Sequence, residues 1–107
     1  MRIPKSVKVG GHIFGVKYPK VIDGGISAGE LRYHEGILPL AQFVKFDQEK
    51  PPNIKAAKQS LEAVFIHEVV HAIDIIYNGH CLTEKEVKCL GEGLYQVIKD
   101  NPDIFRK

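Results

Sequence analysis

The sequence has few of the features that mark a secreted, membrane or nucleic-acid-binding chain. Only two cysteines occur, Cys81 and Cys89, too few for a disulfide scaffold. Free thiols in a reducing compartment are therefore expected. No apolar run approaches the roughly 20 residues of a membrane-spanning helix. Met1-Arg2-Ile3-Pro4-Lys5 carries no apolar signal core, so the expected location is the cytoplasm, with no membrane partner. A net charge of +2 is too small to argue for nucleic acid. There is no internal repeat and no low-complexity tract. Hydrophobic residues make up 44% and charged residues 26% of the 107, which describes one domain over 1–107 with a modest core.

Turn residues and periodicity divide this domain into two halves of different kind. Residues 1–50 read as strands and turns. Ser6 to Gly10 and His12 to Tyr18 flank Gly10-Gly11, a tight-turn pair, and Pro19 ends the second run. Asp23-Gly24-Gly25 and Ala28-Gly29 are loops. Glu30 to His34 and Ile37 to Phe46 read as two more strands around Glu35-Gly36, with Pro39 marking an edge or a bulge. Asp47 to Asn53, with Pro51-Pro52, is the break. Residues 54–101 are helical. Ile54 to Tyr77 forms one helix, stopped by Asn78-Gly79. A second helix starts at Thr83, where Thr83-Glu84-Lys85-Glu86 is a capping box. Its apolar stripe is Val87, Leu90, Leu94, Val97 and Ile98, and Asp100-Asn101-Pro102 ends it. Strands followed by two helices give an α+β class, with an antiparallel-rich sheet before the helix pair.

The chemistry is concentrated in His67-Glu68-Val69-Val70-His71. Positions four apart share a helix face, so two imidazoles can grip one metal ion. Three fixed residues in five arise by chance in a chain this short on the order of a few times in a thousand. The surrounding Ala63-Val64-Phe65-Ile66 and Ala72-Ile73 with Ile75-Ile76 describe a helix that is apolar almost all round. Polar groups on such a helix are costly unless something satisfies them, and a metal does so. Zinc held by two histidines and one further ligand keeps a position open for water, which ionises near neutral pH. Glu68 would then be the general base. The pattern points to peptide-bond hydrolysis with one Zn2+ per chain.

The third ligand is sought on the second helix. At about 100° per residue, Glu84 lies roughly 60° from Val87, Glu86 roughly 100° and Glu92 roughly 140°. Glu84 ranks first, Glu92 second, and Glu86, engaged in the capping box, third. Asp74 shares the face of His67 and His71 and would either fix a histidine tautomer or ligate the metal itself. His80 and Cys81, in the loop after the helix stop, read as incidental, and His12 and His34 as ordinary strand residues. Tyr77, Tyr95, Tyr33 and His34 are the candidate oxyanion donors. The segment Ile37 to Phe46, if it borders the metal cleft, offers an edge for an extended peptide.

Taken together, His67-Glu68-x-x-His71 on a helix after a small sheet resembles the zincin metallopeptidases. An acid on a following helix is similar to the gluzincin pattern. Glu84-x-x-Val87-Lys88-x-Leu90-Gly91 resembles the E-x-x-A-N-x-F-A tract of the ImmA/IrrE-type metallopeptidases of bacteria and prophages. Lys88 stands where that tract has asparagine, and Leu90-Gly91 where it has Phe-Ala. The resemblance implies a zincin-like domain of minimal single-domain size. It implies His67, His71 and Glu84 as zinc ligands and Glu68 as base, acting on a peptide or protein substrate. The alternative is a zincin-fold protein, of phage or regulatory type, that binds metal or a partner and does not cleave.

Overall fold

The computed structural model describes residues 1–45 and 54–104. Strands β1 (Ser6–Val9) and β2 (His12–Lys17) form a hairpin whose corner residues Gly10 and Gly11 both have positive φ, 57° and 91°. That geometry matches the twist of the flanking strands. Strand β3 (Ile37–Pro39) joins the other side of β2, giving the order β1-β2-β3. The β2–β3 pairing is parallel, Gly15 opposite Ile37, so the sheet is not antiparallel throughout. The long excursion from Pro19 to Gly36 makes this possible, because parallel neighbours need a crossover rather than a hairpin. Alternation along the hairpin turns Val9, Phe14 and Val16 inward and leaves Ile13 exposed.

Three expectations for the N-terminal half are corrected. Glu30 to His34 is not a strand: Tyr33–Glu35 is a 3-10 turn closed by left-handed Gly36, and only Arg32 bridges, to Ile37. The run Ile37 to Phe46 divides into β3 and a two-residue strand β4 (Phe43–Val44); Phe46 lies outside the described residues. Strand β5 (Ile54–Lys55) pairs antiparallel with β4. Ile54 is therefore sheet, and the helical half starts at α1 (Lys58–Tyr77). The predicted break at Asp47 to Asn53 also lies outside the described residues.

The helices follow the local signals closely. Helix α1 ends before Asn78 and left-handed Gly79. Helix α2 (Glu84–Asp100) starts on the predicted capping box. Thr83 Oγ1 accepts from the Glu86 amide at 3.1 Å, and Glu86 Oε1 accepts from the Thr83 amide at 2.8 Å. Between Leu61 and Ile76 of α1, only Ile73 is exposed, as an apolar helix under a sheet requires. The core joins Val9, Phe14, Val16, Leu38 and Leu40 of the sheet side to Phe65, Ile66 and Ala72 of α1 and Tyr95 of α2. No helix among the described residues is long and apolar enough to cross a membrane. Cys81 and Cys89 are free and exposed.

The packed stripe of α2 differs from the expected one. Val87, Gly91 and Tyr95 are its buried positions, and Leu90 and Val97 face outward. Gly91 is the reason. A Cβ there would lie 3.2 Å from the His67 Cα, so the helices cross at their closest where α2 has no side chain. Along this antiparallel pair, Tyr95 meets Glu62, Gly91 meets His67, and Glu84 meets His71.

Candidate metal centre

Backbone geometry brings His67 and His71 together on the α1 face that α2 covers. Their rings lie 4.9 Å apart at 71°. Glu84, in the first turn of α2, spans the pair. Its Oε1 is 2.9 Å from His67 Nε2 and its Oε2 is 3.2 Å from His71 Nε2. One ligand atom from each of the three residues falls within 4.8 Å of the others. Among the described residues this is the one such His, Cys, Asp and Glu cluster. Two imidazoles and a carboxylate this close together could hold a metal ion. The imidazoles are half-buried, while the Glu84 side chain is 71% exposed.

Glu68 is the buried member of the motif, 6% exposed, with Oε2 3.9 Å from His67 Nε2. No hydrogen-bond donor among the described residues reaches it. Burial, then the negative charges of Glu84 and Glu30, push its pKa up to about 7. A carboxyl group shifted in this way exchanges protons near neutrality.

The other acids go elsewhere. Glu92 lines the cleft but lies outside the three-residue cluster. Glu86 is held in the capping box. Asp74 makes no hydrogen bond to either histidine. It is fully buried at the far end of α1, where its carboxylate bonds the link to α2. The tyrosines are also placed away from the motif. Tyr95 donates its hydroxyl to buried Glu62 at 2.8 Å, and burial followed by this bond raises its pKa. Tyr33 lies against His12, their polar atoms 3.3 Å apart. Tyr77 is exposed, and neither it nor His34 lines the cleft. His80 sits in the α1–α2 link with a left-handed backbone, beside Cys81.

The wall opposite α1 is Ser27, Ala28 and Gly29, and no described residue of the run from Ile37 lines the cleft. Within that run Leu38, Leu40 and Ala41 are fully buried. Ala41 donates to the Ala28 carbonyl at 2.8 Å and Glu30 to the Pro39 carbonyl at 3.1 Å. These two bonds flank Gly29 and Leu40, which makes them a non-hydrogen-bonded antiparallel pair. The N–H and C=O of Gly29 therefore point away from Leu40. Gly29 has no room for a side chain, since a Cβ would collide with Val64. The extended backbone thus lies directly against α1 one turn before His67. The cleft between them is about 470 Å³, and Lys88 of α2 closes one side.

Sequence reasoning missed three of these features. Ala28-Gly29 in this wall reads as a loop because the partner of Gly29, Leu40, lies far along the chain. Lys88 and Gly91 were visible only as departures from a family tract, although Lys88 follows Glu84 by one turn on the same face. Comparisons of this chain with protein-family models, curated proteins and solved structures find no match.

Proposed function

We propose that this chain is a small zinc-dependent metallopeptidase with a zincin-like arrangement. His67, His71 and Glu84 hold one Zn2+, and Glu68 is the general base. The observation that carries the reading is the two-sided placement of the Glu84 carboxylate against both Nε2 atoms, with buried Glu68 beside them. Bound zinc would supply Lewis acidity, acidifying a water and polarising a carbonyl. Glu68, buried beside His67, would be the group that accepts a proton from water and passes it to the leaving amine. Glu84 and the two histidines contribute an anion and two neutral donors, leaving room for substrate.

A peptide is the substrate that fits the wall. The outward N–H and C=O of Gly29 can pair with an extended chain laid along Ser27 to Gly29. Lys88 lines the same cleft and is the cation we assign to developing negative charge, the role first sought among Tyr77, Tyr95, Tyr33 and His34.

The high exposure of Glu84 favours a second reading, in which a protein partner must cover the cleft before cleavage, or binds there without being cut. Elemental analysis and a peptide-library digest separate these. The proposal expects about one zinc per chain, marked loss in Glu84→Ala, and cleavage by wild type that is absent in Glu68→Gln. Stoichiometric zinc with no cleavage of any peptide would select the binding reading. No zinc in wild type after reconstitution would end both.

A further inference from the structure

Asp74 stands outside the proposed chemistry, yet it is the most enclosed charged group among the described residues, 1% exposed. Its Oδ1 accepts from Asn78 Nδ2 at 3.0 Å, from the Cys81 amide at 3.0 Å and from the Leu82 amide at 3.2 Å. Its backbone carbonyl accepts from the amides of Asn78 at 3.0 Å and His80 at 2.9 Å. One residue thus gathers the whole link between the helices onto the end of α1. The link needs such a hold. It carries two consecutive left-handed residues, Gly79 at φ 65° and His80 at φ 57°, and the second has a side chain that disfavours that conformation.

The three N–H groups on Oδ1 hold the acid here against two opposing effects. The C-terminal end of a helix repels negative charge. Burying a carboxylate is costly, and Asp74 Oδ2 has no hydrogen-bond partner among the described residues. What the carboxylate does achieve is geometric. Leu82 is fixed by its amide, Thr83 caps α2, and Glu84 follows at once. Metal sites tolerate errors of only about 0.2 Å in ligand distance. Left unheld, the five-residue link from Asn78 to Leu82 would not deliver a carboxylate to two imidazoles with that accuracy.

We infer that Asp74 is a positioning residue for the metal site: by folding the α1–α2 link around its carboxylate, it places Glu84 against His67 and His71. This rests on the proposed zinc site, and the test separates the two. Zinc affinity is measured by calorimetry or chelator competition for wild type, Asp74→Ala, Glu84→Ala and the double variant. Partners that orient metal ligands are worth about 10- to 100-fold in affinity, and Asp74→Ala should lose that much in the wild-type background. In the Glu84→Ala background, where only the histidine pair binds, the same change should cost less than about twofold, because nothing is left to position.

Equal losses in both backgrounds would show general loosening of the fold and overturn the inference. So would unchanged affinity in Asp74→Ala while wild type binds tightly. Should Asp74→Ala fail to fold, Asp74→Asn keeps one acceptor oxygen and the side-chain shape. Its smaller loss should likewise vanish in the Glu84→Ala background, and a loss that persists there overturns the inference. Wild type that binds no zinc would refute the metal site itself, a result distinct from any of these.

Discussion

Three acids are buried along α1, and they differ in what meets them. Glu62 receives the Tyr95 hydroxyl. Asp74 receives one side-chain and two backbone N–H groups. Glu68, between them in sequence, receives no donor among the described residues. The pKa directions follow. Burial alone would raise Asp74, but the bonds from Asn78, Leu82 and Cys81, with the His80 charge, outweigh it and bring the group below its usual value. Glu68 has only burial and like charges, and rises to about 7. Comparable burial on one helix therefore leaves Asp74 an anchored carboxylate and Glu68 a group ready to exchange protons. Supply of donors, more than depth, separates them.

The sharpest way to break this comparison is Glu68→Gln. It should retain zinc, by elemental analysis, and lower peptide hydrolysis by about 10²- to 10⁴-fold, the usual worth of a general base. Full activity in that variant would place Glu68 with the structural acids.

Next in size is Tyr95→Phe, which removes the donor from Glu62 and leaves a buried acid unmet. We expect a loss of about 1–3 kcal/mol in denaturant unfolding. Glu68→Gln strands no such partner and should not share that loss. Gly91→Ala tests the helix crossing. Its methyl must push against the His67 backbone, and overpacking of this kind costs about 1–3 kcal/mol. Zinc affinity should fall with it, because His67 and Glu84 move apart. Unaltered melting and affinity would mean that the crossing has slack.

The remaining test is the pH dependence of the metal-free protein. Glu68 has a folded pKa above its unfolded value of 4.5. The folded state then holds the extra proton, so this group's contribution is full below about 4.5 and is lost as pH rises towards 7. Asp74 has a folded pKa below its unfolded value of 3.8. Its contribution is full above 3.8 and is lost as pH falls through the folded value. Glu68→Gln should flatten the slope between 4.5 and 7 and leave the acid limb intact. Asp74→Asn should do the reverse. Unfolding midpoints across pH 2–8 read both.

The parts legible in advance share a short range. The Gly10-Gly11 corner, the Asn78-Gly79 stop, the Thr83 capping box and the spacing of His67 and His71 are each decided within a few residues. Helix rotation ranks Glu84 first among the acids of α2, but its meeting with the histidines rests on the helix crossing. The misreadings were non-local. Ile54 and Lys55 look helical until β4 offers them a partner. Ile37 to Phe46 looks like one strand until β3 pairs in parallel with β2. Leu90 looks buried until Gly91 brings α2 onto His67 at a different angle.

The sequence by itself determined the two classes of element, their order, and the residue types gathered at the candidate site, since periodicity, capping and i,i+4 spacing are properties of the local chain. Only the tertiary structure decided which acid meets the histidines, which backbone forms the opposite wall, and which buried carboxyl goes without a donor. Those depend on how α2 crosses α1 and where the chain from Ser27 to Gly29 returns. Such long-range packing is set by the whole core, and no single segment encodes it.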